Sequence, residues 1–293
     1  METRASSRAK IITFLVLTFA LSSIFYLLMI SAGSIRAAGG LYEFALMWCP
    51  AVAALATQFA FQRNVRGLGW RLPQWQYLAT GYFLPVIYGF ITYLLVWSTG
   101  LGGFSPQQLA ATVAPQIGYH PDSPERFTAG YILVVATVGM APSLLSALGE
   151  EIGWRGLLVP ELAKITTFTW TALLSSAVWV IWHLPLVLFS DYNNGTPAWY
   201  AIACFTTMVI AFGLVAAWLR LKSGSIWPAV VLHASHNLFI KNVFTPLTSN
   251  LGITPYIIDE FGIALVIALV LIALYFWLRR SEVSATVLSR RAV

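Results

Sequence analysis

Two adjacent carboxylates, Glu150 and Glu151, follow directly on an apolar run of the sequence. Arg155 lies four residues after Glu151, so on a helix these two side chains share a face. Glu150 then points about 100° away, which lets Arg155 hold one carboxylate while the other faces a cavity. Repulsion between two neighbouring carboxylates raises the pKa of one of them, and a raised pKa suits a general base. The alternative is a pair of interfacial charges at a helix end.

A second candidate is His183, which is the only ionisable side chain between Lys164 and Asp191. Trp179 precedes it by one helical turn and lies on the same helix face. Ionisable groups inside apolar spans are costly and tend to mark functional sites. The alternative is a hydrogen-bonded histidine that serves only packing.

A third cluster contains His233, His236 and Asn237, after the sequence Ser-Ile-Trp-Pro. His233 and Asn237 are four residues apart and share a helix face, and His236 can occupy a similar face. Such a face can bind a metal ion or an oxyanion, or it can simply hydrogen-bond a neighbouring helix. Counting about 1.5 Å of rise per residue places the three clusters at similar depths. We therefore predict that they meet inside the bilayer, in a site open toward the cytoplasm.

The composition predicts the elements that must position these groups. Of the 293 residues, 58% are hydrophobic and 10% are charged, against about 25% charged in soluble domains. This excludes a soluble globular enzyme, a disordered chain and a disulfide scaffold, and Cys49 and Cys204 both lie in apolar runs. The predicted fold is an all-α polytopic membrane helix bundle with about eight transmembrane helices. The candidate spans are 11–30, 41–61, 77–97, 129–148, 168–189, 199–219, 226–240 and 261–278, of which the seventh is short.

Basic residues predict the orientation of this bundle. If the N-terminus is cytoplasmic, 14 of the 17 Lys and Arg fall at cytoplasmic ends, as the positive-inside rule requires. Arg36, Arg126 and Lys241 are left outside, and so is the long loop 100–126. We therefore predict that both termini are cytoplasmic.

Three segments are predicted within this single membrane domain. Residues 1–130 supply N-terminal helices and the outer loop, without a recognisable signature. Residues 131–242 form the catalytic core, and residues 243–293 supply the last transmembrane helix and a basic cytoplasmic tail.

The three clusters, taken in order, resemble the CAAX-protease and bacteriocin-processing (CPBP, or Abi) family of intramembrane proteases. That family includes the type II CAAX prenyl endopeptidase, and its pattern is EExxxR, then FxxxH, then HxxxN or HxxxB on separate helices. The matching residues are Glu150, Glu151, Arg155, His183, His233 and Asn237. One position departs from the pattern, because Trp179 stands where the family usually has Phe. This exchange of one aromatic ring for another bears on the shape of the pocket and hence on the substrate.

The resemblance implies an endopeptidase that hydrolyses peptide bonds of membrane-associated or lipidated substrates. By this analogy Glu150 is the general base that activates water, and His183 and His233 orient that water or bind a metal. Asn237 helps to stabilise the oxyanion of the tetrahedral intermediate. The implied supporting residues are Glu151, Arg155 and Trp179.

The resemblance leaves the choice between a metalloprotease and a glutamate-type protease open. Zinc is the candidate cofactor, and Glu150, His183 and His233 would supply the three protein ligands of a catalytic zinc. The sequence contains no HExxH motif, however. A metal-free mechanism is the alternative.

Two other classes of function remain open. The first is a non-catalytic membrane scaffold or regulator that has kept the fold. The second is a proton-coupled transporter, which also favours buried Glu, Arg and His but is expected to show internal repeats. The predicted partners are the lipid bilayer and a peptide, prenylated protein or other membrane-protein substrate, with no nucleic acid. The predicted location is the plasma membrane, as an integral multi-pass protein.

Overall fold

The computed structural model describes residues 4–283 and is built almost entirely of helices. Within that range the α-helices are α1 (Arg4–Ala32), α2 (Leu41–Gln62), α3 (Trp75–Ser98), α4 (Pro106–Val113), α5 (Pro124–Thr137), α6 (Met140–Glu151), α7 (Val159–Ile165), α8 (Phe168–Phe189), α9 (Ala198–Ser223), α10 (Trp227–His236) and α11 (Ile263–Leu278). Two π-helical segments, Ile152–Leu158 and Asn237–Phe244, continue α6 and α10 without a break.

Short elements complete the described chain. Single 3₁₀ turns occupy Ala37–Gly40, Arg66–Leu68, Ala114–Ile117 and Thr254–Tyr256. Strands β1 (Gly103–Phe104) and β2 (Thr248–Ser249) pair antiparallel and join two loops. The all-α helix bundle predicted from composition is confirmed.

Every one of the eight predicted apolar segments is helical in the structure, but they differ in length and shape. Five helices, α1, α2, α3, α8 and α9, are long and apolar enough to cross a membrane. The fourth predicted segment differs from a straight span, because α5 and the helix from Met140 to Ile165 meet at a bend of 45°. Counting that bent pair gives up to six spans, and α11 is shorter, with 16 residues. The number eight stays a prediction.

The helix ends and loops collect at two opposite ends of the bundle, which we call proximal and distal. At the proximal end, Lys10 Nζ lies 3.4 Å from Glu161 Oε1. There also the indole of Trp277, at the end of α11, donates to Thr169 Oγ1 at 3.2 Å, near the start of α8. The proximal end thus collects the start of α1, the loop 63–74, the start of α8, the turn 224–226 and the end of α11.

The distal end is joined by a separate set of loop contacts. Asp191 accepts from the Ile35 amide at 2.8 Å, and Gln108 donates to the Thr248 carbonyl at 2.9 Å. The distal end consists of the loops 33–40, 99–123, 190–197 and 245–262. The basic tail predicted beyond residue 283 lies outside the described residues.

Candidate active site

Glu150 and Glu151 are both buried, but their carboxylates have different partners. Glu151 Oε1 accepts from Arg155 Nη1 at 2.8 Å and from His233 Nδ1 at 2.9 Å. Glu150 Oε2 accepts instead from two indole N–H groups, those of Trp179 at 2.7 Å and Trp154 at 3.2 Å. The predicted pairing of Glu151 with Arg155 is therefore present, and Glu150 is held apart from it.

Two of the three motif helices, α6 and α10, change their winding where the motif residues lie. The α-helical turns of α6 end at Glu151, and those of α10 end at His236. A π-helical segment follows in each case, starting at Ile152 and Asn237. Such wide turns are rare and occur frequently at functional sites, since they shift the facing of nearby side chains.

Two glycines let the Glu150 helix approach α2 closely. A Cβ atom on Gly149 would lie 2.6 Å from the Met47 carbonyl oxygen, and one on Gly153 would lie 2.5 Å from Pro50 Cβ. Small residues four apart allow helix backbones to approach in this way. Residues of the signature-free N-terminal segment thus set the position of Glu150.

The hydrogen bonds of the two predicted catalytic histidines define their protonated nitrogens. His183 Nδ1 lies 2.9 Å from the Trp179 carbonyl oxygen, and His233 Nδ1 lies 2.9 Å from Glu151 Oε1. Both partners can only accept, so Nδ1 carries the proton in each ring. In the neutral form of each imidazole, Nε2 is then the available lone pair and could hold a water molecule or a metal ion.

Trp179 lies between the three motifs. Its ring centroid is 5.9 Å from the ring of His183 and 5.3 Å from that of His233. The Arg155 guanidinium carbon lies 4.4 Å from the same ring centroid, and the indole N–H bonds Glu150. The position that departs from the family pattern therefore contacts four of the six motif residues, Glu150, Arg155, His183 and His233.

A cavity of about 780 Å³ brings four predicted catalytic residues into one space. Glu150, His183, His233 and Asn237 all line it. Trp179 lines it as well, and so does His236, which the sequence placed only on a similar face. A volume of this order suits a small-molecule or short peptide ligand.

Sequence reasoning missed a second polar cluster on the same cavity wall. Glu260 Oε2 lies 2.9 Å from Lys241 Nζ and accepts from the Tyr192 hydroxyl at 2.6 Å. His236 Nε2 lies 3.5 Å from Glu260 Oε1, beyond a normal hydrogen bond. One signal was visible, because Lys241 is the only Lys or Arg between Lys222 and Arg279.

The two loop acids beside this cluster differ in their electrostatics. Burial tends to raise the pKa of Glu260, but the Lys241 ammonium and the His236 and Tyr192 side chains hold that pKa well below its ordinary value. Burial, together with the neighbouring charge of Glu260, raises the pKa of Asp259 to about 6. The cluster therefore keeps an ionised Glu260 at neutral pH.

The cavity reaches the distal end of the bundle, where Arg36, Asp191 and Asn193 line it. The position of the cavity makes two of the predictions from the sequence incompatible with each other. The described start of α1 lies at the proximal end, so a cytoplasmic N-terminus and a site open toward the cytoplasm cannot hold together. The physical reason is that Glu150 and His183 lie above a packed proximal layer, which the depth counting from helix ends did not represent.

A catalytic zinc needs three protein ligands and an open fourth position. Both imidazoles offer Nε2, as zinc requires, and their Nδ1 atoms have the second partners typical of metal-bound histidine. Within residues 4–283, however, no three His, Cys, Asp or Glu side chains converge closely enough to hold one ion. The residues as placed do not form a three-ligand zinc site, and we derive no step through a metal.

Comparison with known proteins gives a match over the segment that carries the motifs. Residues 132–239 match the family described as type II CAAX prenyl endopeptidase Rce1-like. This confirms the resemblance drawn from the motifs, because Glu150, His183, His233 and Asn237 all fall in the matched segment. The apolar helices and this match together identify an integral, multi-pass membrane protein.

A curated relative is similar over a stretch of about the same length as this matched segment. The chain is 29% identical over 102 residues to CAAX prenyl protease 2 of Methanococcus maripaludis, which is 32% of this chain and 36% of that protein. The match thus spans about a third of the length of the relative.

Proposed function

We propose, with the family match over residues 132–239 as premise, that this protein is an intramembrane endopeptidase. It would hydrolyse peptide bonds of membrane-associated or lipidated substrates with a water molecule activated by Glu150. CAAX prenyl processing is what the name of the archaeal relative describes, and a prenylated protein is one candidate substrate here. The expected location is the plasma membrane.

The observation that carries this proposal is the separation of the two adjacent carboxylates. Glu151 is occupied by Arg155 and His233, which leaves it little freedom to take part in chemistry. Glu150 lines the cavity and is aimed by two indole N–H groups. A positioned carboxylate in a cavity with limited water is a suitable general base.

The proposed reaction is a water-mediated hydrolysis. Glu150 takes a proton from water while the water oxygen attacks the substrate carbonyl carbon, and His183 and His233 orient that water. The Asn237 amide donates to the oxyanion of the tetrahedral intermediate. The intermediate collapses with cleavage of the C–N bond, and Glu150 returns its proton to the leaving amine.

Comparison of peptide termini by mass spectrometry tests the proposal. Membranes would carry the wild-type protein, Glu150→Gln or Glu125→Gln at equal abundance. The amide is isosteric, so Glu150→Gln is expected to fold and to abolish cleavage, whereas Glu125, exposed in the first turn of α5, serves as a matched control. Termini present with wild type and Glu125→Gln but absent with Glu150→Gln would support the protease and name its substrates.

If every terminus persists in Glu150→Gln, the mechanism is wrong and the scaffold alternative takes first place. Zinc stays a separate proposal, and its candidate ligands His183, His233 and Glu150 would have to lie closer together than they do here to bind one ion. A strong chelator or a hydroxamate inhibits cleavage by the purified protein only if a metal takes part, and metal analysis of the same sample gives an independent result.

A further inference from the structure

Charge is distributed unequally between the two ends of the bundle. Eleven of the 15 Lys and Arg within residues 4–283 lie toward the proximal end: Arg4, Arg8, Lys10, Arg63, Arg66, Arg71, Lys164, Arg220, Lys222, Arg279 and Arg280. Toward the distal end are Arg36, Arg126 and Lys241, and Lys241 is paired with Glu260. The remaining cation, Arg155, is buried on Glu151 inside the bundle.

Acidic residues have the opposite distribution. Those near the distal end are Glu43, Asp122, Glu125, Asp191, Asp259 and Glu260. Short loops rich in Lys and Arg are retained in the cytoplasm, whereas Asp and Glu contribute little to orientation. The distribution of basic residues therefore places the proximal end in the cytoplasm.

The candidate site is closed on that cytoplasmic side. Trp154, Arg155 and Leu157 lie between Glu150 and the proximal end, and none is more than 2% exposed. Trp154 packs edge-on against Phe14 with ring centroids 5.7 Å apart, and Arg220 Nε donates to the Arg155 carbonyl at 2.7 Å. These contacts join α1, α9 and the π-helical segment after α6 in one packed layer.

The cavity reaches the distal loops instead. Asp191, Asn193 and Asn194 of the loop after α8 line it, together with Arg36 of the loop after α1 and Asn242. Asp191 and Asn242 are exposed. The polar rim lies at the end of the bundle that has only three of the 15 Lys and Arg within residues 4–283.

We infer that the cavity opens on the non-cytoplasmic side of the membrane. Its substrates are then exported peptides, or the non-cytoplasmic ends and loops of membrane proteins, rather than the lipidated C-terminus of a cytoplasmic protein. The substrate class rests on the proposed endopeptidase function, whereas the orientation of the cavity does not.

Cysteine accessibility tests the orientation without any need for activity. The background carries Cys49→Ala and Cys204→Ala, which removes both native thiols. Asn242→Cys then reports the cavity rim, and Asn64→Cys, a matched exchange in the exposed proximal loop, reports the opposite side. A membrane-impermeant maleimide is applied to spheroplasts and to inside-out vesicles, and only samples that remain monodisperse after extraction are scored.

The expected result is labelling of Asn242→Cys in spheroplasts and of Asn64→Cys in inside-out vesicles. The reverse pattern, or equal labelling of either variant in both preparations, overturns the inference. Proteolysis is scored separately. Glu150-dependent termini on cytoplasmic segments would contradict the substrate class and leave the protease standing, whereas an absence of such termini would contradict the protease and leave the labelling unchanged.

Discussion

Trp179 does more in this site than fill the position of an aromatic ring. Its indole N–H donates to Glu150 at 2.7 Å, and its ring contacts both catalytic-motif histidines and Arg155. A phenylalanine keeps the ring but has no donor. The residue that departs from the family pattern therefore adds a charge-assisted hydrogen bond to the proposed general base.

Trp179→Phe is expected to lower kcat/KM by about tenfold to about 100-fold, because a hydrogen bond to a charged group contributes roughly 1.5–3 kcal/mol. The measurement is cleavage of a substrate identified through its Glu150-dependent terminus. Trp277→Phe is the matched control, since it removes an indole donor that bonds Thr169 at the far end of the bundle. Unchanged activity in Trp179→Phe would show that this hydrogen bond does not position Glu150.

The helical elements were largely predictable from the sequence, but their local irregularities were not. Runs of about 20 apolar residues and the spacing of the motifs predicted the helices that carry Glu150, His183 and His233. The bend of 45° between α5 and α6 falls beside Gly139 and Pro142, residue types at which helices commonly kink, but the predicted straight span did not allow for it. The two π-helical segments were not predicted either. No pattern of residue types in one sequence distinguishes an i+5 from an i+4 hydrogen bond.

Close packing of α2 against the Glu150 helix gives a prediction for one glycine. Gly153→Ala places a methyl group against Pro50, and overpacking of this kind costs about 1–3 kcal/mol. We expect a lower melting temperature in detergent and weakened cleavage, since α2 and Glu150 must move apart.

Gly130→Ala is the matched control for this exchange. Gly130 lies within α5, and a Cβ atom there would meet nothing within 4 Å. Alanine favours helix over glycine, so this variant should melt at the same or a higher temperature. Equal melting temperatures for Gly153→Ala and wild type would mean that α2 yields easily at Pro50.

At the scale of the whole molecule, the distal loops bring together residues that no local pattern relates. Tyr192 and Glu260 are 68 positions apart, and Lys241 lies between them in sequence. Their meeting depends on how α8, α9, α10 and α11 pack, which a single sequence does not encode as a spacing. The polar cluster at the cavity wall was unpredictable for that reason, whereas the motif residues within single helices were predictable.

The raised pKa of Asp259 predicts a pH-dependent stability of these loops. The ordinary value of 3.8 rises to about 6 in the folded protein, so folding favours the protonated carboxyl. The stability contributed by Asp259 is therefore present at low pH and is lost as the pH rises through about 6. The side chain introduced by Asp259→Asn stays neutral at every pH. The melting temperature of Asp259→Asn minus that of wild type should therefore be larger at pH 7.5 than at pH 4.5.

The difference between the two proteins is the quantity to measure, because other groups titrate equally in both. Residue 259 has a positive φ of 68°, which asparagine tolerates well, but that advantage does not change with pH. A constant difference in melting temperature between the two pH values would contradict the assigned cause.

The packing of Gly149 and Gly153 against Met47 and Pro50 also bears on how far the matched segment can be treated as a module. Residues 132–239 contain every motif, yet the surface that seats the Glu150 helix belongs to α2, about 100 residues earlier in the chain. A chimera that transfers the matched segment alone into a relative would bring its own glycines to a foreign α2. A chimera between such proteins should therefore exchange α2 together with the motif helices.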